Sequence, residues 1–470
     1  MNSLMRVRLN TVLDEGSFVP LIRSEDTELV GGTGCIDGRK VCIIAINPVA
    51  SVPLDPFEVL QDELALLEYA EEHHLPVIHL ADRPGRVPMS TTAIPLSIMR
   101  TYIEPRGVGS VFTKFARLSG VVPRIAVVFS PIATTLTYPV AECDVVLMTK
   151  ASGMSLARPD MQHLMTGEAA SYEAYGGAEM HATVSGTCDI LCDTPDDALQ
   201  AVKRTLHSFP SWYRERPPLC KPRNPDPDAR LPSPLTLAYP YSRFDMHDLI
   251  KTFIDQDTFL EHRALYASEL ITGFARVNGM TLGIIANNSL HKGGILFSET
   301  CIKLASFASL CNSFNIPLLF LADLPGFMVG KESECSGIIH HGALVFSTLA
   351  NLSVPKICII VRKAYTAGLY AMCGTGFEPD RLLAFPDAEL TIYGTRAASK
   401  LAEESGLTPD EIKAVEKAVK ATADPRRHAE SGCIDGIIEP DKVRVEVSDL
   451  LEHAYSVPLN RTYPRRVLCL

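Results

Sequence analysis

The chain carries nearly the same eleven residues twice, LPVIHLADRPG at 75–85 and IPLLFLADLPG at 316–326, with Arg83 in the first copy where the second has Leu324. Other landmarks keep that spacing. Asp14 and Phe18 in LDEGSF match Asp255 and Phe259 in IDQDTF, and Gly38 in CIDGRKVCIIAIN matches Gly279 in RVNGMTLGIIANN, each pair 241 residues apart. A constant offset over some seventy residues marks an internal duplication, and the two halves must fold alike. The 470 residues therefore reduce to two domains of ordinary size.

Within each half the order of signals is the same. A β-rich run follows an Asp-Gly or Asn-Gly turn (41–46 and 282–286), apolar residues at helical spacing come next (60–73 and 300–314), and a further strand follows at 76–80 and 317–321. RIAVVFS (124–130) and KICIIVR (356–362) are later β-rich runs, each entered by Val-Pro, with the offset reduced to 232 by loops that differ by nine residues. Strand, helix and strand in alternation predict right-handed crossovers and covered sheets, hence an α/β fold. The proline-rich stretch RERPPLCKPRNPDPDARLPSP (214–234) separates the halves. The expected organisation is an N-terminal domain at 1–213, a linker at 214–240 and a C-terminal domain at 241–470.

Composition narrows the function classes. A net charge of −11 argues against an extended nucleic-acid surface, and no apolar run reaches the ~18–20 residues of a membrane span. The N-terminus lacks the apolar core of a signal peptide, so a cytoplasmic protein is expected. Thirteen cysteines are scattered; Cys188 and Cys192 lie close, but no second pair completes a zinc site, and reduced, buried thiols without a metal are expected.

In open α/β sheets ligands collect beyond the carboxyl ends of strands. Two loops per half qualify: ADRPGRVPM (81–89) against ADLPGFMVG (322–330), and SPIATTLTY (130–138) against RKAYTAGLY (362–370). Small residues at a strand end bring backbone N–H groups close to a ligand, and two such groups aimed at one oxygen stabilise an enolate-like charge. G-x-S-x-G, Walker A, H-E-x-x-H and complete G-x-G-x-x-G motifs are all missing from the sequence. Backbone donors are thus the expected catalytic groups, with Arg362 and Lys363 left between anion binding and a solvated helix start.

The strings ELITGFARVNGMTLGIIANN, FNIPLLFLADLPGFMVG, SGIIHHGA, VPKICIIVRKAYTAGLYAMCG and FPDAELTIYG in the second half resemble the carboxyltransferase β subunit of biotin-dependent acyl-CoA carboxylases of the propionyl-CoA and methylcrotonyl-CoA type. RLNTVLDEGSFVPL, MTGE, YGGAEMHATVSG and DTPDDAL extend the resemblance to the first half. It implies two tandem crotonase-like (ClpP/crotonase) domains, an oligomer (dimer or hexamer), and a partner comprising biotin carboxylase and a biotin carboxyl carrier protein. The implied reaction moves a carboxyl group from carboxybiotin to the α or vinylogous carbon of an acyl-CoA or acyl-carrier thioester through an enolate, without a metal.

Carried over by position, the biotin-side oxyanion hole falls on Ala367 and Gly368, with Tyr365, Tyr370 and Gly326 beside it, and the acyl-side hole on Thr134 and Thr135. The first half departs from the family. Arg83, Pro84, Gly85, Arg86 and Val87 stand where the family has Ser-Gly-Gly-Ala-Arg, and Ala133-Thr134-Thr135-Leu136 stands where it has Ala-Gly-Gly-Ala. Branched threonines are expected to crowd that site, and Arg83, Gly85 and Arg86 are the expected contacts for an altered substrate. Two alternatives stay open: decarboxylation of a malonyl-type thioester, and a non-catalytic subunit paired with an active paralogue.

Overall fold

A computed structural model of the chain describes residues 3–22, 27–50, 55–82, 96–157, 159–236 and 242–468. The chain divides into two compact units, one of residues up to Pro217 together with the stretch from Asn460, the other of Pro218–Leu459.

The first unit contributes strands β1 (Val19–Pro20), β2 (Leu29–Ile36), β3 (Arg39–Ile46), β4 (Val77–Ala81), β5 (Arg124–Val128), β6 (Pro131–Ala133), β7 (Val145–Thr149), β8 (Gly153–Ser155) and β9 (Ile190–Cys192). Among the described residues, seven of them form one sheet in the order β1-β2-β3-β4-β5-β7-β9, and β6 pairs with β8. The second unit contributes β10 (Leu260–His262), β11 (Leu270–Val277), β12 (Met280–Asn287), β13 (Leu318–Leu324), β14 (Lys356–Tyr365), β15 (Arg381–Ala384), β16 (Glu389–Thr391) and β17 (Gly436–Ile437). Its sheet runs β10-β11-β12-β13-β14-β15-β17, with β16 on the far end of β14. In both sheets the first two pairings are antiparallel and the rest parallel. The duplication in sequence is a duplication of topology.

The repeated Asp-Gly and Asn-Gly dipeptides make the β2–β3 and β11–β12 turns. Asp37 and Gly38 have φ of 48° and 78°, and Asn278 and Gly279 have 51° and 76°, the left-handed pair that matches strand twist in a two-residue hairpin. Each turn is clamped by the aspartate that marked the repeat. The Asp14 carboxylate accepts the N–H groups of Asp37 (2.9 Å) and Gly38 (2.8 Å), and Asp255 accepts those of Asn278 (3.0 Å) and Gly279 (2.8 Å). Asp255 also pairs with Arg444 Nη2 at 2.8 Å.

Between β3 and β4 runs the helix Pro56–Glu72, capped where Asp55 accepts from the Phe57 N–H and proline occupies the first turn. Its counterpart, Ser298–Ser313, is buried nearly all round. Helix Val108–Leu118 adds Val111, Phe115 and Leu118 to the first core.

Two expected boundaries fall differently. From Pro218 the proline-rich stretch belongs to the second unit: the Cys220 N–H donates to Gly279 O at 3.0 Å, and Leu231 and Leu235 pack on that unit's core. Proline lacks a ladder donor but lies well as an extended strap. The end of the chain belongs to the first unit, where the Val467 N–H donates to Ser119 Oγ at 3.0 Å and Tyr213 OH to Thr462 O at 3.4 Å. Among the described residues, no helix is long and apolar enough to cross a membrane.

Asp255 is fully buried with two turn donors and a cation, whereas Asp14 is half-buried with two donors only. Urea denaturation of Asp255→Ala is expected to show a loss of about 3 kcal/mol, and Asp14→Ala about 1 kcal/mol.

Candidate active site

At the carboxyl end of β13, Asp323 is fully buried and faces Arg362 on β14. The pair is bidentate, Nη2 to Oδ2 at 2.6 Å and Nε to Oδ1 at 3.3 Å. Arg362 also donates to Ser289 Oγ at 2.9 Å and lies over the Phe244 ring. Its donors are committed to holding strand ends, so it neither faces a free anion nor lies solvated at the helix start. Lys363 lies 3.8 Å from Asp323 Oδ1, and burial holds its ammonium below the usual lysine range.

Beyond this pair β14 pairs with β16 and ends at Tyr365, and a short helix, Ala367–Ala371, begins. The residue between them, Thr366, has φ 49° and ψ −133°. A β-branched residue there is strained by roughly 1–3 kcal/mol, strain of the kind found at functional turns. Thr366 donates its N–H to Thr391 O at 3.1 Å and Leu369 donates to Thr366 O at 3.2 Å. Among the described residues nothing accepts from the N–H groups of Ala367 and Gly368, which belong to the first helical turn where intrahelical acceptors are missing. Opposite lies Gly326, buried at φ 125°. A Cβ placed on Gly368 would be 3.0 Å from Gly326 Cα and 3.1 Å from Leu324, so this approach needs glycine.

The first unit repeats the device. Asp82 follows β4, takes an ion pair from Arg8 Nη1 at 2.6 Å and accepts from Ser130 Oγ. Ser130 occupies the position equivalent to Arg362, and the cation comes instead from helix Ser3–Val12, its guanidinium over Phe129 at 3.9 Å. β6 pairs with β8 as the end of β14 pairs with β16, and the next residue, Thr134, has φ 64°. Thr134 and Thr366 are 232 residues apart, the offset of this part of the repeat. Thr135 and Leu136 therefore correspond to Ala367 and Gly368, and they lie in a single 3-10 turn, Thr134–Leu136, closed where the Thr137 N–H donates to Thr134 O.

Thr135 and Leu136 border a cavity of ≈ 50 Å³, together with Phe112, Ile132, Glu63 and His79. Burial pushes the Glu63 carboxyl up to about 7 and the His79 imidazole down to about 4. His79 packs on Phe115 at 5.7 Å between ring centroids.

The structure thus brings Ala367, Gly368 and Gly326 together, and sets Thr134 and Thr135 at the matching turn. Tyr365 lies at that turn with its hydroxyl on Glu389 Oε2 at 2.5 Å and its ring against Gly394. Tyr370 is exposed. Arg83, Gly85 and Arg86 lie outside the described residues. Of the two branched residues expected to crowd the site, Thr134 is exposed and carries the positive φ of the turn, while Thr135 borders the cavity described above. The bulk that separates the halves is Leu136 in place of Gly368; aligning the loops at offset 232 exposes it. Glu63 and His79 were missed because they sit at apolar-strip positions of a helix and a strand. No group of three or more His, Cys, Asp or Glu among the described residues is arranged to hold a metal ion. Burial raises Cys42, Cys301 and Cys373 to about 12, which keeps them protonated thiols.

Two crotonase-like α/β units, each presenting a strained turn beyond a parallel strand, define the class. The chain belongs to the carboxyl transferase family, whose carboxyl transferase domain matches residues 2–468. It is 38% identical over 436 residues to the uncharacterized carboxylase YngE of Bacillus subtilis, covering 90% of this chain and 83% of that protein. It is 34% identical over 474 residues to the methylmalonyl-CoA carboxyltransferase 12S subunit of Propionibacterium freudenreichii, covering 95% and 87%. Among solved structures, transcarboxylase 12S, a hexamer with hydrolyzed methylmalonyl-coenzyme A bound, superposes with a TM-score of 0.86 at 30% identity, covering 98% of this chain and 91% of that one. The family comprises carboxyltransferase components of biotin-dependent acyl-CoA carboxylases, and this member is an enzyme of that class.

Because its folded pKa is raised from 4.5 to about 7, Glu63 contributes stability that is complete below pH 4.5 and lost as pH rises through 7. His79 acts oppositely, its contribution complete above pH 6.5 and lost as pH falls through 4. Glu63→Leu is expected to remove a decline on the order of 3 kcal/mol on the alkaline side, read from urea midpoints between pH 5 and 8.

Proposed function

We propose that the chain moves a carboxyl group from carboxybiotin, borne by a biotin carboxyl carrier protein, to the α or vinylogous carbon of an acyl thioester of coenzyme A or an acyl carrier. The observation that carries this reading is the pair of strained turns at Thr134 and Thr366, 232 residues apart, each opening a short helical segment beyond a strand end. Carboxyl transfer of this kind develops negative charge on two oxygens in turn, the thioester enolate and the biotin ureido oxygen. Two preorganised donor pairs suit that demand, and fixed backbone dipoles need no reorganisation as charge appears.

In this reading the Thr135 and Leu136 N–H groups hold the enolate side, and those of Ala367 and Gly368 hold the biotin side. Thr134 and Thr366 impose the turn geometry. Gly326 leaves room for the biotin ring, Tyr365 braces the turn, and Tyr370 stands at its exposed rim. When bound, carboxybiotin supplies the carboxyl carbon and a ureido nitrogen able to accept the α-proton, so no side-chain base is required of this chain. Arg83, Gly85 and Arg86 are assigned to the acyl side. A homo-oligomer, dimer or hexamer, working in the cytoplasm with a biotin carboxylase subunit completes the reading.

With a biotinylated carrier and biotin carboxylase supplied, labelled carboxylate is expected to reach at least one member of an acyl thioester panel, followed by mass spectrometry. Gly368→Val, whose Cβ meets Gly326, is expected to lower that transfer more than about 100-fold. Transfer to no thioester from a charged carrier, or full activity in Gly368→Val, is the result that counts against the reading.

A further inference from the structure

The cavity beside Thr135 holds two ionisable groups for which carboxyl transfer has no use. Glu63 projects from helix Pro56–Glu72 and His79 from β4, and both line the same ≈ 50 Å³ space as Thr135 and Leu136. They are 9% and 4% exposed. Among the described residues His79 Nδ1 has no hydrogen-bond partner, and burial alone raises the Glu63 carboxyl.

The duplication provides an internal control. At an offset of 241 residues Glu63 becomes Leu304 and His79 becomes Phe320, both fully buried. The second unit fills these positions with hydrocarbon, as a sheet core ordinarily does. A buried polar group left unpaired is costly, so the unpaired His79 Nδ1, lining the same cavity as Glu63 where the repeat has Phe and Leu, is suited to a polar ligand that both residues can meet.

We propose that Glu63 and His79 are specificity-determining residues of the first unit, which receive a hydroxyl group carried on the acyl chain of the thioester substrate. The inference rests on the carboxyltransferase reading, because it takes the Thr135–Leu136 turn as the acyl side. A hydroxyl is the smallest substituent that donates and accepts at once, which is what a neutral imidazole and a protonated carboxyl can jointly match. The direction of both shifts, Glu63 up and His79 down, favours those neutral forms. A charged substituent would lose its hydration among Ile46, Val111, Phe112 and Ile132, and an unsubstituted alkyl chain would leave His79 Nδ1 unpaired.

The test is calorimetric titration of the full chain with butyryl-CoA, 3-hydroxybutyryl-CoA and 4-hydroxybutyryl-CoA. At least one hydroxylated thioester is expected to bind about tenfold more tightly than butyryl-CoA. The double variant Glu63→Leu/His79→Phe, which installs the second unit's own residues, is expected to reverse that order. Equal affinities for the three, no binding of any, or a preference that survives the double variant overturns the proposal; a cavity that merely holds water gives the first of these. The wild-type comparison stands by itself if the double variant fails to fold. Carboxyl transfer is assayed separately: a tenfold preference without transfer supports the hydroxyl site and counts against the carboxyltransferase reading alone.

Discussion

Each unit depends on a buried carboxylate at the end of a parallel strand. Asp323 ties β13 to β14 through Arg362, and its own N–H donates to Asn287 Oδ1 on β12 at 3.1 Å. Three adjacent strand ends are thereby fixed by one residue. Such a pair gains little over a hydrocarbon core in net stability, but loss of one partner leaves a charge stranded, at about 3–5 kcal/mol. That rigidity is what lets the chain hold Thr366 at a positive φ one turn later. In the first unit Asp82 ties the end of β4 to Ser130, beyond β5, and to Arg8 of helix Ser3–Val12.

Much of this was legible in the sequence because a duplication is its own alignment. The aspartates at 14 and 255, the Asp-Gly and Asn-Gly turns and the strands ending at 82 and 323 all follow from one offset and familiar turn chemistry. The loops that follow β5 and β14 were legible as well, at an offset of 232. Less so was the reason threonine could replace glycine: the requirement there is a backbone angle, with the side chain turned outward, and residue type alone does not reveal it. From sequence Arg362 reads as facing an anion or solvating a helix start, because the buried Asp323 that holds it lies 39 residues away in sequence and no local signal announces the pair. Glu63 was hidden within a helix whose apolar period it interrupts only once.

The two copies have diverged in a directed way. The second keeps a filled core and a narrow glycine contact between residues 326 and 368. The first has placed Leu136 at the equivalent contact and replaced two core hydrocarbons by Glu63 and His79, opening a polar recess beneath the same turn. Retaining the strained backbone while altering what surrounds it is the pattern expected when the charge-stabilising role is shared and the bound group differs.

The path of the chain end bears on how the molecule is made. Residues 460–468 pack with the first unit, where the Gly120 region lies so close to Arg465 that a Cβ on Gly120 would fall 1.7 Å from its carbonyl oxygen. On the ribosome the first unit therefore waits, with its 119–121 turn uncovered, until more than 240 further residues have been synthesised. The second unit, contiguous in sequence, can close before it. The amino-terminal half therefore closes only after residues 460–468 emerge, and chaperone demand during synthesis should fall mainly on that half.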